Sequence, residues 1–246
     1  MKHLVLGSGN LGTDLFETIV KAGHEAVIWK HGDKFDWPNT PPRGLDAFTH
    51  IWCAVGYGSV NEAAAKFRHA VDVHVNLPDY IVRHAPQARL IFFSTDYIES
   101  PASSLYALTK YFMEHRLAFE MNWGGRRNIN IIRLGSLYGK HRQVKNLAYR
   151  LQQNLDEILK LPSNMIRPTP TKWVAEVLVD KINDIPPLFH LCPSDDVSVA
   201  DFGKFCTGKE VEVGMIDIQR PRVIEPKCAY LKDAPTWKSL YEEYAL

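Results

Sequence analysis

Tyr106 and Lys110 stand four residues apart in YALTK, the spacing that puts two side chains on one face of a helix. Ahead of them the apolar run RLIFFS ends in Ser94 and Thr95. A hydroxyl, a phenol and an ammonium in one place can manage the reduction of a carbonyl. Hydride delivered to the carbonyl carbon leaves an oxygen that needs a proton. A tyrosine can give it, from an ordinary pKa of about 10, and a neighbouring ammonium favours the phenolate and lowers that value. The Thr95 hydroxyl can hold the carbonyl oxygen in line. Because a strand alternates faces, one of Ser94 and Thr95 should point at such a site.

A source of hydride is suggested at the N-terminus. HLVL (3–6) reads as a buried strand, GSGNLG follows, and Leu11, Leu15 and Ile19 then recur at helical spacing up to Gly23. Gly7, Gly9 and Gly12 form GxGxxG between a strand and a helix, the context in which this turn accepts a dinucleotide pyrophosphate. The first glycine permits the tight turn, the second the approach of the phosphates, and the third close packing of helix on strand. The helix N-terminus adds unpaired N–H groups and partial positive charge. No acidic residue ends the second strand, EAVIW (25–29), to hold an adenosine ribose. Lys30 and His31 stand there instead and suit a 2′-phosphate, which favours NADP(H) and leaves NAD(H) open.

The elements needed to bring the two groups together follow in order. Strands are expected at 50–55, 89–94 and 129–133, with helices at about 60–70, 71–84 and 104–122. Alternation of this kind predicts an α/β fold, a Rossmann-type parallel sheet with helices on both faces. Beyond residue 134 helices are expected at about 144–160 and 172–184, a strand at LFHL (188–191), a capped helix after Ser198 and a terminal helix. The expected division is a dinucleotide-binding domain over 1–135 and a small C-terminal lobe over 136–246, partly interleaved with it.

The 246 residues are 46% apolar and carry a formal net charge of +1. That balance gives no reason to propose nucleic acid or an anionic membrane as partner. The four cysteines show no CxxC spacing and read as reduced thiols of a cytoplasmic protein. The N-terminus lacks a long apolar h-region, and no segment approaches the length of a membrane span. His69 and His74 are five apart, the wrong step for a shared helical face, and the expectation is no metal site. Lys140, His141, Arg142 and Lys145 cluster in GKHRQVK, a group suited to a diphosphate or to a solvated face.

Together these residues resemble the short-chain dehydrogenase/reductase superfamily. More narrowly, they are similar to the dTDP-4-dehydrorhamnose reductase family of sugar-nucleotide reductases. The likeness rests on CAVGYGSVNEAA (53–64), Asn76 in VHVNLP, STDY (94–97), YALTK, RLGSLYG (133–139) and RPTPTKWVAEVL (167–178), and on RPR (220–222). The resemblance implies reduction of the 4-keto group of a nucleotide-linked deoxysugar, with Thr95, Tyr106 and Lys110 in the catalytic positions. It implies that Gly7, Gly9, Asn10, Leu11 and Gly12 hold the pyrophosphate. Ala54, Val55 and Gly56 would line the ribose side, and Lys110 would bond the nicotinamide ribose. Asp96, Tyr138, Arg167 and Thr169 join Thr95 on the substrate side. A homodimer is left open. The chain departs from the family in its short interval between Thr95 and Tyr106. It also has Ser136 where an aromatic residue is usual and Trp173 where an acidic one is. Two alternatives therefore stand beside the reductase. One is an epimerase or dehydratase with tightly held NAD, using Asp96 or Glu99 as acid and base. The other is a non-catalytic NADP-binding regulatory subunit.

Overall fold

The structure is a computed structural model that describes residues 1–30, 32–57, 60–99, 104–141, 148, 160–214, 231 and 233–244. Five of its strands are β1 (Lys2–Leu6), β2 (Glu25–Trp29), β3 (His50–Cys53), β4 (Arg89–Thr95) and β5 (Ile129–Leu134). The sixth, β6 (Leu188–Leu191), comes from the C-terminal part of the chain. All pair in parallel, in the order β6-β5-β4-β3-β1-β2. This is the Rossmann-type α/β sheet that the alternating elements predict. Parallel pairing forces each connection to cross a face of the sheet, so both faces are covered and the middles of the strands are largely apolar.

Alternation along the strands divides the core. Leu4, Leu6, Ile51, Leu90, Phe92, Ile129 and Ile131 face one side, where they meet Leu77 and Ile81 of the helix Leu77–His84 and Met113 and Leu117 of the helix Leu105–Asn122. Val5, Trp52, Ile91, Phe93 and Ile132 face the other. There they pack on Leu11, Leu15 and Ile19 of the helix Asn10–Lys21 and on Val174 and Leu178 of the helix Thr171–Asp180. Trp173 is buried in this second layer as an apolar wedge. A third cluster, with Tyr138, Ile166, Val197, Phe202 and Tyr241, forms the core of the smaller C-terminal part. Both β6 and the helix Thr171–Asp180 belong to the main sheet and its cover, so the chain after residue 136 returns to complete the first layer system.

Two expected elements have different outlines. The helices expected at 60–70 and 71–84 appear as Val60–Ala65, Phe67–Val71, a π-helical turn Asp72–Asn76, and Leu77–His84. The helix expected at about 144–160 lies outside the described residues apart from its ends. At one end Ala148 is helical and buried, and at the other Lys160 begins a short strand, Lys160–Pro162. Arg142, Lys145 and 220–222 also fall outside.

At the N-terminal edge of the sheet, register places His3 beside His50. Their rings stack at 4.7 Å, and His24 lies 5.4 Å from His3. Trp52 Nε1–H donates to His3 Nδ1 at 3.1 Å, which requires a neutral ring. Burial holds His3 down at about 3, helped by His50, His24 and the amino terminus, and His50 at about 4, helped by Arg89, the amino terminus and His24. The unfolded chain, with histidine near 6.5, therefore binds more protons than the folded one between about pH 4 and pH 6.5. Stability falls as pH drops through that window. Urea unfolding at pH 5 is expected to show a loss of about 2 kcal/mol or more relative to pH 7. In His3→Phe that dependence should flatten.

Candidate active site

Because every strand of the sheet is parallel, Gly7, Ala54, Thr95 and Gly135 all leave it at one edge. The strand order reverses between β1 and β3, and in open α/β sheets ligands bind at the carboxyl edge of such a switch point. Gly7 and Ala54 sit there. Gly7 has φ +100°, and a Cβ on it would meet the Ala54 carbonyl oxygen at 2.9 Å. A Cβ on Gly12 would run into the Gly7 carbonyl and lie 3.4 Å from the Ala54 Cβ. Gly9, which caps the helix Asn10–Lys21 with no side-chain bond, has nothing within 4 Å of its missing Cβ. The turn is thus closed toward the sheet and open outward, with uncapped helix N–H groups beside the opening, as a pyrophosphate requires. Leu11 is 7% exposed and lies in the core, so its backbone is the part available to a ligand.

The segment after β3 links this turn to the tyrosine helix. Gly56 is exposed. A Cβ on it would lie 3.3 Å from His74 Nε2 and 3.9 Å from Lys110 Nζ. The helix Leu105–Asn122 starts where the Ser104 hydroxyl accepts the Ala107 amide, a side-chain N-cap, and so presents Tyr106 and Lys110 in its first two turns. Lys110 is buried, and its ammonium donates to the Phe93 carbonyl at 2.8 Å. Burial lowers it to about 8, against the attraction of Cys53 and Glu114. Burial also pushes the Tyr106 phenol well above its usual range, with Tyr97 and Asp96 adding to the effect. The neighbouring ammonium would lower the phenol, but desolvation wins instead, while the ammonium is held by the Phe93 carbonyl. Tyr106 therefore keeps its proton at neutral pH, which is the form a proton donor needs.

Both hydroxyls that end β4 are buried. Thr95 Oγ donates to Asp96 Oδ1 at 3.2 Å and accepts the Tyr97 amide at 3.3 Å. Ser94 Oγ has no hydrogen-bond partner and falls on the sheet face of Leu90 and Phe92. Asp96 is buried beside them with Oδ2 unpaired. Burial raises its carboxyl to about 7, while the Thr95 bond and the Arg167 charge pull the other way. Arg167 is itself buried, with Nη1 3.6 Å from Cys192 Sγ.

The remaining expected positions separate. Tyr138 packs in the third cluster against Phe202 and Tyr241, and Thr169 is fully buried with its hydroxyl donating to the Arg167 carbonyl. Both are buried here, Tyr138 among aromatic rings and Thr169 against the Arg167 backbone. Lys30 is exposed just beyond β2, and His31 lies outside the described residues. Asn76 is exposed and bonds Asp72, so it does not face the tyrosine–lysine pair. His74 does, with its ring edge-on to Tyr106 at 5.5 Å. The five-residue step from His69 to His74 passes through the π turn, whose i to i+5 bonding rotates the chain away from α-helical pitch. As a result both His69 and His74 meet the ring of Tyr57. The structure also gathers Asp14, Glu17 and His141, whose ligand atoms lie within 4.8 Å of one another. Asp14 already accepts the Thr171 hydroxyl at 2.5 Å and faces His141 Nε2 at 3.2 Å, so its carboxylate fastens the segment after Tyr138 to the glycine-turn helix.

The sheet and its helical cover define a Rossmann-type α/β fold. Solved structures with the same fold include dTDP-4-dehydrorhamnose reductases and a UDP-glucose 4-epimerase. A dTDP-4-dehydrorhamnose reductase from Clostridium acetobutylicum matches over 99% of this chain and 98% of its own, with TM-score 0.79 and 18% identity. One from Bacillus anthracis, solved in complex with NADP, matches over 99% and 96%, with TM-score 0.80 and 17% identity. A UDP-glucose 4-epimerase from Thermus thermophilus, in complex with NAD, matches over 99% and 93%, with TM-score 0.68 and 18% identity. No protein-family model and no curated protein matches the sequence. Among the described residues no helix is long and apolar enough to cross a membrane.

Proposed function

We propose that the chain reduces the keto group of a nucleotide-linked deoxysugar with NADP(H). The observation that carries this reading is the continuity of the crevice. A Cβ on Gly7 or Gly12 would meet Ala54, and one on Gly56 would lie 3.9 Å from Lys110 Nζ, on the helix that bears Tyr106. A dinucleotide laid on the glycine turn would extend toward the tyrosine. The exposed Lys30 beyond β2 suits the 2′-phosphate of NADP(H). When bound, the nicotinamide supplies the hydride. Tyr106 then gives its hydroxyl proton to the carbonyl oxygen and recovers one from solvent. Lys110 holds the ribose and favours the transient phenolate, and Thr95 or the unpartnered Ser94 orients the carbonyl. Arg167 and Asp96 would meet the sugar. The test is ketone-dependent oxidation of NADPH across a panel of nucleotide-linked 4-keto sugars. Turnover of at least one supports the reading. NADPH binding without turnover on any would leave a non-catalytic binder.

One observation favours a second reading. Asp96 is a buried carboxyl near neutral in pKa beside the phenol, the kind of group that acid–base chemistry on a sugar ring needs. An epimerase or dehydratase would hold NAD through purification and convert substrate with no net change in cofactor. Mass analysis of the purified protein distinguishes the two.

A further inference from the structure

His74 is 1% exposed, and both of its ring nitrogens are engaged. Nε2 lies 3.2 Å from the backbone nitrogen of Tyr57, and Nδ1 lies 2.8 Å from Thr109 Oγ1. The Tyr57 amide can only donate, so Nε2 accepts and the ring proton is on Nδ1. Nδ1–H then donates to Thr109, whose own hydroxyl donates to the Tyr106 carbonyl at 2.8 Å. The chain of bonds is complete, with one direction throughout. It runs from the segment after β3, through the imidazole, to the backbone of Tyr106 itself. The ring edge also meets Tyr57 and Tyr106, each at an interplanar angle of 84°.

The consequence is mechanical. The segment Ala54–Tyr57 leaves the sheet at the switch point, where the Ala54 amide still donates to the Leu6 carbonyl of β1 at 2.9 Å, and its far end, Tyr57, lies beyond that bond. Its described side-chain anchor on the tyrosine helix is this imidazole. The π turn Asp72–Asn76 is what brings the ring there, since a regular α turn would rotate residue 74 away from the face shared with residue 69.

We propose that His74 is a positioning residue that fixes the segment Ala54–Tyr57 against Tyr106 and Lys110. The proposal deepens the dinucleotide reading above, because that segment forms the wall between the glycine turn and the ammonium. His74 moves no proton in the reaction, as neither ring nitrogen is free to face a ligand.

Two substitutions separate its bonds. The amide of Gln reaches the position of Nε2, so His74→Gln keeps an acceptor for Tyr57 and loses the donor to Thr109. The amide of Asn reaches that of Nδ1, so His74→Asn keeps the donor and loses the Tyr57 anchor. Hydrogen exchange at the Tyr57 amide and NADPH titration followed by its fluorescence are measured for both. His74→Asn is expected to speed Tyr57 exchange and weaken NADPH binding, each by about tenfold, with His74→Gln within about threefold of the parent. Equal behaviour of the two variants overturns the proposal. So does an imidazole nitrogen NMR spectrum of the parent that shows the proton on Nε2, a measurement that needs no variant to fold. A parent protein that does not bind NADPH, while Tyr57 exchange still rises only in His74→Asn, upholds the anchor and removes the cofactor reading alone.

Discussion

Tyr106→Phe is expected to lower NADPH-dependent ketone reduction by about 10²- to 10⁴-fold, the usual contribution of a positioned proton donor. Thermal stability should stay within about 1 kcal/mol, because the ring, its edge contact with His74 and the helix are unchanged. NADPH affinity should change by less than about threefold, since the phenol acts on substrate oxygen and not on the nucleotide. The environment of Tyr106 supports the donor role in the reducing direction. Burial and the neighbouring Tyr97 and Asp96 all disfavour its phenolate, so the proton is present when the ketone arrives. Steady-state kinetics on the best ketone of the panel supply the check, and undiminished turnover would remove Tyr106 as the acid.

Lys110→Met is expected to act on both binding and chemistry. Methionine keeps the length and apolar stem of the lysine and removes the ammonium. The buried ammonium costs desolvation free energy, so its loss, with that of the bond to the Phe93 carbonyl, should change stability by only about 1 kcal/mol. NADPH affinity is expected to fall by about 10- to 100-fold, the range for a charge-assisted hydrogen bond. Turnover should fall by about 10³-fold, through loss of the charge that favours the phenolate in the transition state. The parent protein carries a second signature. In the free state Lys110 loses its proton near pH 8, whereas a bound ribose that accepts from the ammonium raises that value. Binding then takes up a proton above pH 8, so NADPH affinity weakens as pH rises through 8 and beyond. Calorimetric titrations across that range should show the slope in the parent and a flat profile in Lys110→Met.

What was legible in the sequence was local. The glycine turn and the tyrosine–lysine pair each lie within one turn of helix or loop, and the apolar runs around them define the strands that place them at one sheet edge. What escaped depended on distant partners or on a departure from ideal helical spacing. His74 was invisible as a site residue because the step from His69 was judged at α-helical pitch, and the π turn changes it. Tyr138 and Thr169 were read from a resemblance, but the side-chain directions that bury them come from the packing of Phe202 and Tyr241 and from the Arg167 carbonyl. The pair Asp14 and Thr171 lies far apart in the chain and meets only after the helix Thr171–Asp180 docks on the glycine-turn helix. The direction of the Tyr106 shift also needed the fold, since the sequence shows the neighbouring charge but not the depth of burial that outweighs it.

The most direct measurement is a crystal structure of the protein soaked or grown with NADPH. The pyrophosphate is expected on the N–H groups at Gly9 to Gly12, with the nicotinamide ribose in hydrogen-bond reach of Lys110 Nζ and the reactive face of the ring turned toward the Tyr106 hydroxyl. A nucleotide bound with its nicotinamide directed away from that helix, or an empty crevice at saturating NADPH, would contradict the assignment of hydride chemistry to this site.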